Sequence, residues 1–177
     1  YFIITSDHGE MSERGTNGHF TGLLYEPVIR SPLLVLVPGS QERRDFHSLT
    51  SNIDLMPTIL NLAGSEIPAS CEGNILPGLG GVEDPDRSVI TMEAKESSAF
   101  QPFTKATYSI IKGNYKLLYY HGYVHKYQEY FEFYDLQEDP EEMHDKYSKQ
   151  KFADIIFDMK QELFNAMDEA NKKIAVV

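Results

Sequence analysis

The sequence predicts an α/β unit followed by a small antiparallel sheet packed with a C-terminal helix. Three observations carry that prediction. Residues 1–5 and 33–37 are continuous apolar or β-branched runs, which fit buried strands of a parallel sheet covered on both faces. Between residues 88 and 134, β-branched and aromatic runs recur at 88–93, 106–111, 115–120 and 130–134. The final stretch carries Phe152, Ile155, Ile156, Met159, Leu163 and Met167, the three-and-four spacing of an amphipathic helix lying on the sheet.

The remaining elements follow in chain order. Residues 1–5 open the chain inside a strand, with no starting Met and no signal-peptide pattern. The expectation is therefore a piece of a longer protein. Residues 6–22 are rich in Gly, Ser, Thr and Asn and read as a loop. Residues 54–63 read as a helix, with Asp54 as N-cap, Pro57 in the first turn and Gly64 at C′. Its apolar face comprises Leu55, Met56, Ile59, Leu60, Leu62 and Ala63. Residues 65–88 are a Gly/Pro-rich connection, and a subdomain boundary falls near its end, dividing the chain into 1–87 and 88–177. Lys112-Gly113-Asn114 then suits a hairpin turn between two strands. Neither internal repeats nor low-complexity segments occur.

Composition excludes some functions. Hydrophobic residues make up 41% of the chain and charged residues 24%, the balance of a globular protein with a sizeable core. The net charge of −11, from 16 basic and 27 acidic residues, repels phosphate backbones and argues against a nucleic-acid partner. A small anionic substrate stays open, because local charge can oppose the average. No apolar run approaches the ~18 residues of a membrane span. The single cysteine, Cys71, excludes an internal disulfide and a Cys-rich zinc site. It leaves localisation open between cytoplasmic and periplasmic or secreted.

Thr5-Ser6-Asp7-His8-Gly9-Glu10 directly follows a strand, where open α/β sheets bind ligands. A carboxylate oxygen and an imidazole nitrogen are both divalent-metal ligands, so Asp7 and His8 are the candidate metal pair. Gly9 would let the backbone turn beneath them. Alone, the dipeptide fits a capped strand-end turn with a surface His better than a site, because such short motifs match by chance. His19 can donate to an anionic oxygen or a leaving group. Arg14 and Arg30 can meet an anion, and Glu10 and Glu13 can support the ligands from behind. Each of these also reads as an ordinary loop residue. His47, His121, His125 and His144 lack ligand spacing and carry no role. Tyr119, Tyr120, Tyr123, Tyr127, Tyr130 and Tyr134 read as cross-strand packing before a sugar platform.

Three ordered stretches shift the balance. The first is Ile4-Thr5-Ser6-Asp7-His8-Gly9-Glu10, followed by Gly18-His19 and Leu24-Tyr25-Glu26-Pro27 with Arg30, Pro32 and Leu33. The second is Asp54-Leu55-Met56-Pro57-Thr58-Ile59-Leu60 with Leu62-Ala63-Gly64. The third is Ile110-Ile111-Lys112-Gly113-Asn114-Tyr115-Lys116-Leu117, then Tyr134-Asp135-Leu136, Asp139-Pro140 and Glu142. Over nearly the whole chain this order resembles the C-terminal part of sulfatases, a family of the alkaline phosphatase superfamily. The resemblance implies the end of an alkaline-phosphatase-like α/β domain over 1–87 and the family's C-terminal subdomain over 88–177. It implies that Asp7 and His8 bind a divalent metal, Ca2+ by family habit with Mn2+ as the alternative. It also implies that His19 contacts the sulfate or assists the leaving group.

The departures are equally specific. The formylglycine motif that supplies the sulfatase nucleophile is absent, as is the other pair of metal carboxylates. Cys71 has no Pro and Arg at the needed spacing. Many sulfatases carry Asn where His8 stands, and a nitrogen ligand favours Mn2+ over the oxygen-preferring Ca2+. The expectation is a segment inactive alone that works with the remaining N-terminal part of a parent sulfatase on a small sulfated substrate such as a sulfated sugar. The alternatives are a related phosphodiester or phosphonate hydrolase, a phosphoethanolamine transferase, and a non-catalytic interaction module.

Overall fold

In the computed structural model, residues 1–19, 22–96, 103–123 and 130–174 are described. The C-terminal part is built on a four-stranded antiparallel sheet in the order β3-β4-β5-β6. Its strands are β3 (Ser88–Glu96), β4 (Lys105–Lys112), β5 (Tyr115–His121) and β6 (Tyr130–Asp135). Lys112 pairs with Tyr115, so Gly113 and Asn114 form a two-residue turn. Gly113 has φ 56°, the left-handed conformation that such hairpin turns demand.

Side chains alternate across this sheet, and both faces are covered. On one face Ile110, Leu117, Tyr119 and Phe133 pack with Met159 and Leu163. Those two belong to the predicted amphipathic helix, α3 (Ala153–Ile174). On the other face Leu118, Tyr120 and Tyr134 pack with Met11, Leu24 and Val28 from the N-terminal part. The tyrosines are therefore cross-strand packing: Tyr119 stacks on Phe131 with ring centroids 4.6 Å apart. Tyr127 and His125 lie outside the described residues.

A buried carboxylate sits inside the second layer. Glu132 accepts the hydroxyls of Tyr25 at 2.9 Å, Tyr134 at 3.0 Å and Tyr120 at 3.3 Å. These bonds offset the cost of burying the charge. Burial, then the Glu132 charge, pushes the Tyr25 hydroxyl up to about 12, so it stays a donor at neutral pH. The same causes raise Tyr120 and Tyr134.

The N-terminal part corrects one expectation. The two apolar runs form β1 (Phe2–Thr5) and β2 (Leu33–Leu36), but they pair antiparallel, with Thr5 opposite Leu33 and Phe2 opposite Leu36. The loop between them leaves and returns at one end of the pair, and that geometry requires antiparallel strands. Nor are the strands buried: Phe2 is 73% exposed and Leu34 57%. Continuous apolarity signals that both faces need cover. It carries no information on strand direction or on what supplies the cover.

The helix after them is also shifted. A 3-10 turn, Asn52–Asp54, leads into α2 (Leu55–Leu62). Ser51 and Asp54 form a reciprocal capping box, so Asp54 stands at N3 of the turn rather than capping α2 with its side chain. Gly64 follows at C′ with φ 67°. Thr58 faces inward, donating to the Asp54 carbonyl and accepting the Leu76 N–H. Met56 and Ile59 of the predicted apolar face stay exposed.

Candidate functional site

The loop after β1 is held from two sides. Asn52, at the start of the 3-10 turn, donates to the carbonyls of Ser6 at 3.1 Å and Asp7 at 3.0 Å. Gly9 N–H donates to the Val28 carbonyl at 2.7 Å. Val28 lies on the single-turn helix α1 (Glu26–Ile29). Gly9 has a different role from the predicted one. Its φ is not positive; instead, a Cβ there would overlap the Pro27 carbonyl oxygen. Because that obstacle is backbone, Gly9→Ala should cost about 1–3 kcal/mol by overpacking. A lowered thermal unfolding midpoint would report it, and an unchanged midpoint would refute the close-approach reading.

This anchoring brings His8, Glu10 and His19 together. Their ligand atoms lie within 4.8 Å of one another, and the two imidazole rings are 4.0 Å apart. His8 Nδ1 is 2.8 Å from the Gly9 carbonyl oxygen. A carbonyl only accepts, so Nδ1 carries the proton and Nε2 keeps the lone pair a metal needs. His19 Nδ1 is 2.7 Å from Glu10 Oε1, and that carboxylate likewise orients the ring. Asp7 is 88% exposed at its side chain, with Oδ2 at 3.6 Å from His8 Nε2. Chiefly the His8 backbone N–H donated to its Oδ1 holds the Asp7 carboxyl below its ordinary range, so it is an anion across neutral pH.

Asp7, His8 and His19 line a cleft of about 500 Å³. Residues 50–53 form a second wall, and Thr91 and Glu93 of the edge strand β3 belong to a third. Residues from both the N-terminal part and the C-terminal sheet therefore build the cleft. The donor set fits a divalent cation in part: Asp7 and His8 offer one oxygen and one nitrogen, fewer ligands than Ca2+ or Mn2+ takes.

The other predicted residues lie elsewhere. Arg14 is not among the cleft residues. Its guanidinium donates to the carbonyls of Glu141 and Glu142 and lies over the Tyr25 ring at 4.1 Å. Arg30 is exposed at the end of α1. The Glu13 carbonyl accepts Thr16 N–H in a turn, and its side chain is exposed. Sequence reasoning missed Asn52, for which no local signal exists, and the cleft wall from β3. It named Glu10 only as a general support.

A family model described as N-sulphoglucosamine sulphohydrolase, C-terminal, matches residues 15–169. The uncharacterized sulfatase YidJ of Escherichia coli K12 is 31% identical over 173 residues, covering 96% of this chain and 32% of that protein. Among solved structures, BT1596, a 2-O GAG sulfatase, superposes with a TM-score of 0.76 at 23% identity, over 99% of this chain and 37% of the other. BT4656, solved in complex with its substrate D-glucosamine-2-N,6-O-disulfate, gives a TM-score of 0.67 at 24% identity, over 98% of this chain and 34% of the other. The fold is thus that of the sulfatases, which are alkaline-phosphatase-like α/β proteins. The chain itself belongs to the sulfatase family and corresponds to its C-terminal domain. It spans about a third of the length of the E. coli relative.

Proposed function

We propose that this chain is the C-terminal part of an enzyme that hydrolyses sulfate esters or N-sulfates, with a sulfated sugar as the substrate class. The observation that carries the reading is the joining of His8, Glu10 and His19, with both histidines lining a strand-end cleft, in a chain of the sulfatase family. The glucosamine disulfate bound by BT4656 supports the sugar.

In this reading Asp7 and His8 supply part of a divalent-metal site, with Ca2+ or Mn2+ as the ion. The bound ion would polarise the sulfate oxygens and lower the pKa of the nucleophile. Asp7 contributes a fixed negative charge, and His8 a nitrogen whose tautomer the Gly9 carbonyl sets. His19, oriented by Glu10, contacts the sulfate or protonates the leaving oxygen. The nucleophile, a formylglycine, and the other ligands come from the remaining N-terminal part of the enzyme. The exposed apolar residues Phe2, Ile4, Leu34 and Leu36 of the β1–β2 pair, with Met56 and Ile59 of α2, offer a surface for that part to cover.

Purified chain 1–177 is expected to show no aryl-sulfate hydrolysis, whereas the whole enzyme turns the ester over and loses activity on chelation and in His8→Ala. Turnover by the isolated chain that His8→Ala abolishes would overturn the division of labour. The Asp7-His8 pair supports a second reading: His8 would give the metal a nitrogen ligand, and the pair resembles that of phosphonate and phosphodiester hydrolases of the superfamily. Faster turnover of a phosphonate monoester than of the matched sulfate ester would select it.

A further inference from the structure

Three motif fragments had no role in the site: Tyr25-Glu26-Pro27, Tyr115-Lys116-Leu117 and Asp139-Pro140 with Glu142. They are far apart in sequence, and the fold brings them to one place. The Lys116 ammonium is fully buried in β5, 2.7 Å from Glu142 Oε1 and 3.1 Å from Glu26 Oε1. Glu142 Oε2 accepts the Glu26 backbone N–H at 2.6 Å. Burial drives the Glu142 carboxyl upward, while Lys116 and the Glu26 N–H pull it back toward ionisation.

This cluster grips the loop that carries His19. Glu26 stands just after the loop, and Arg14 stands five residues before His19. Arg14 donates to the backbone carbonyls of Glu141 and Glu142. Among the described residues, Arg14 at φ 57° and Glu142 at φ 53° are the non-glycine residues in the left-handed region. L side chains rarely adopt that conformation, and it persists only where the surroundings enforce it. The two strained residues meet each other. Tyr25 adds a third tie through its bond to Glu132 on β6.

We propose that Lys116 is a positioning residue for His19: with Glu142 it ties the chain on both sides of His19, at Arg14 and Glu26, to the C-terminal sheet, so that sheet helps set the geometry of the site. The proposal rests on the reading of His19 as the sulfate-contacting group. Lys116 does not line the cleft and acts only through the loop. A buried ion cluster suits this task because its geometry tolerates little slack: moving one member leaves an uncompensated buried charge.

The test compares Lys116→Met, Lys116→Arg and Arg14→Gln by two readouts. In chain 1–177, the 15N shifts of His19 report its tautomer. Wild type should show the Nδ1-protonated form held by Glu10, Lys116→Met should lose it, and Lys116→Arg should retain it. Methyl signals of Met159 and Leu163 report whether the core is intact. In the whole enzyme, Lys116→Met should lower kcat by up to about 100-fold, the scale of a one-ångström misplacement, with KM nearly unchanged and rescue by Lys116→Arg. If Lys116→Met fails to fold, Arg14→Gln decides, since it removes an exposed side chain's tie and leaves the ion cluster in place. It should weaken the tautomer preference and lower kcat in the same sense. An unchanged His19 pattern and unchanged kcat in the folded variants would overturn the proposal. Failure of the underlying reading looks different: His19→Ala itself would then leave kcat intact.

Discussion

Replacing His19 by alanine in the whole enzyme is expected to lower kcat by about 10²–10⁴-fold, the usual contribution of a placed proton donor. His19 lines the cleft with Asp7 and His8, and its Nδ1 is engaged by Glu10 at 2.7 Å. That contact fixes the ring with Nδ1–H toward Glu10, so Nε2 is the nitrogen that can donate to the leaving oxygen when the ring carries both protons. A donor to the leaving oxygen works mainly in the transition state, so kcat and kcat/KM should fall together. The fall should be steeper for a poor leaving group, such as a sugar alkoxide, than for an aryl oxide that leaves without a proton. Steady-state kinetics on the two esters read this directly. Equal losses on both would leave His19 as a binding contact and remove the acid role. A Glu10→Gln variant should show a smaller loss of the same kind, because the amide can still accept from Nδ1 but without charge.

The second large effect concerns stability. Asp54→Ala is expected to cost about 3–5 kcal/mol, the range for removing one partner of a buried ion pair. For a chain of this size that lowers the thermal midpoint by roughly 6–20 °C. Asp54 is fully buried and receives Arg87 on both oxygens, at 2.7 and 2.8 Å. It also accepts the N–H groups of Ser51 and Asn74. One carboxylate therefore joins the start of α2, the long Gly/Pro-rich connection and the approach to β3. Removing it leaves Arg87 and two backbone donors without that acceptor. Since residues 50–53 also wall the cleft, the site should loosen as well.

The same group gives a pH dependence with a definite sign. Burial alone would raise the Asp54 carboxyl, but the hydrogen bonds from Arg87, Ser51 and Asn74 outweigh it and hold the carboxyl below its ordinary range. A depressed folded-state pKa contributes stability that is fully present above the unfolded value, about 3.9. That stability is lost as pH falls through the folded value. Wild type should thus lose stability below about pH 4, and Asp54→Ala should lack that part of the acid slope. Parallel acid-unfolding curves for the two proteins would refute the assignment.

The C-terminal sheet and helix were legible in the sequence because their signals are local. The β-branched and aromatic runs at 106–111 and 115–120, a Gly-Asn turn and a three-and-four spacing from Phe152 to Met167 are signals carried by a few neighbouring residues, and the structure has those strands, that turn and α3. The position of Asp7-His8 at the end of a strand was legible for the same reason. What the sequence could not supply were partners distant along the chain. The apolarity of residues 1–5 and 33–37 was plain, but their antiparallel pairing depended on where the intervening loop returned. Arg14 offered a cation, and only packing sent it to Glu141 and Glu142 rather than to the cleft.

For this protein, then, the sequence by itself determined the elements of the C-terminal sheet and helix, the family, and the strand-end position of the candidate metal pair. Tertiary structure alone decided that Glu10 holds His19, that Asn52 braces the Asp7 loop, and that Lys116 meets Glu26 and Glu142. The physical reason is that periodicity and turn chemistry act over a few residues. Ion pairs and hydrogen bonds between distant residues exist only once packing has brought the chain segments together and excluded water from between them.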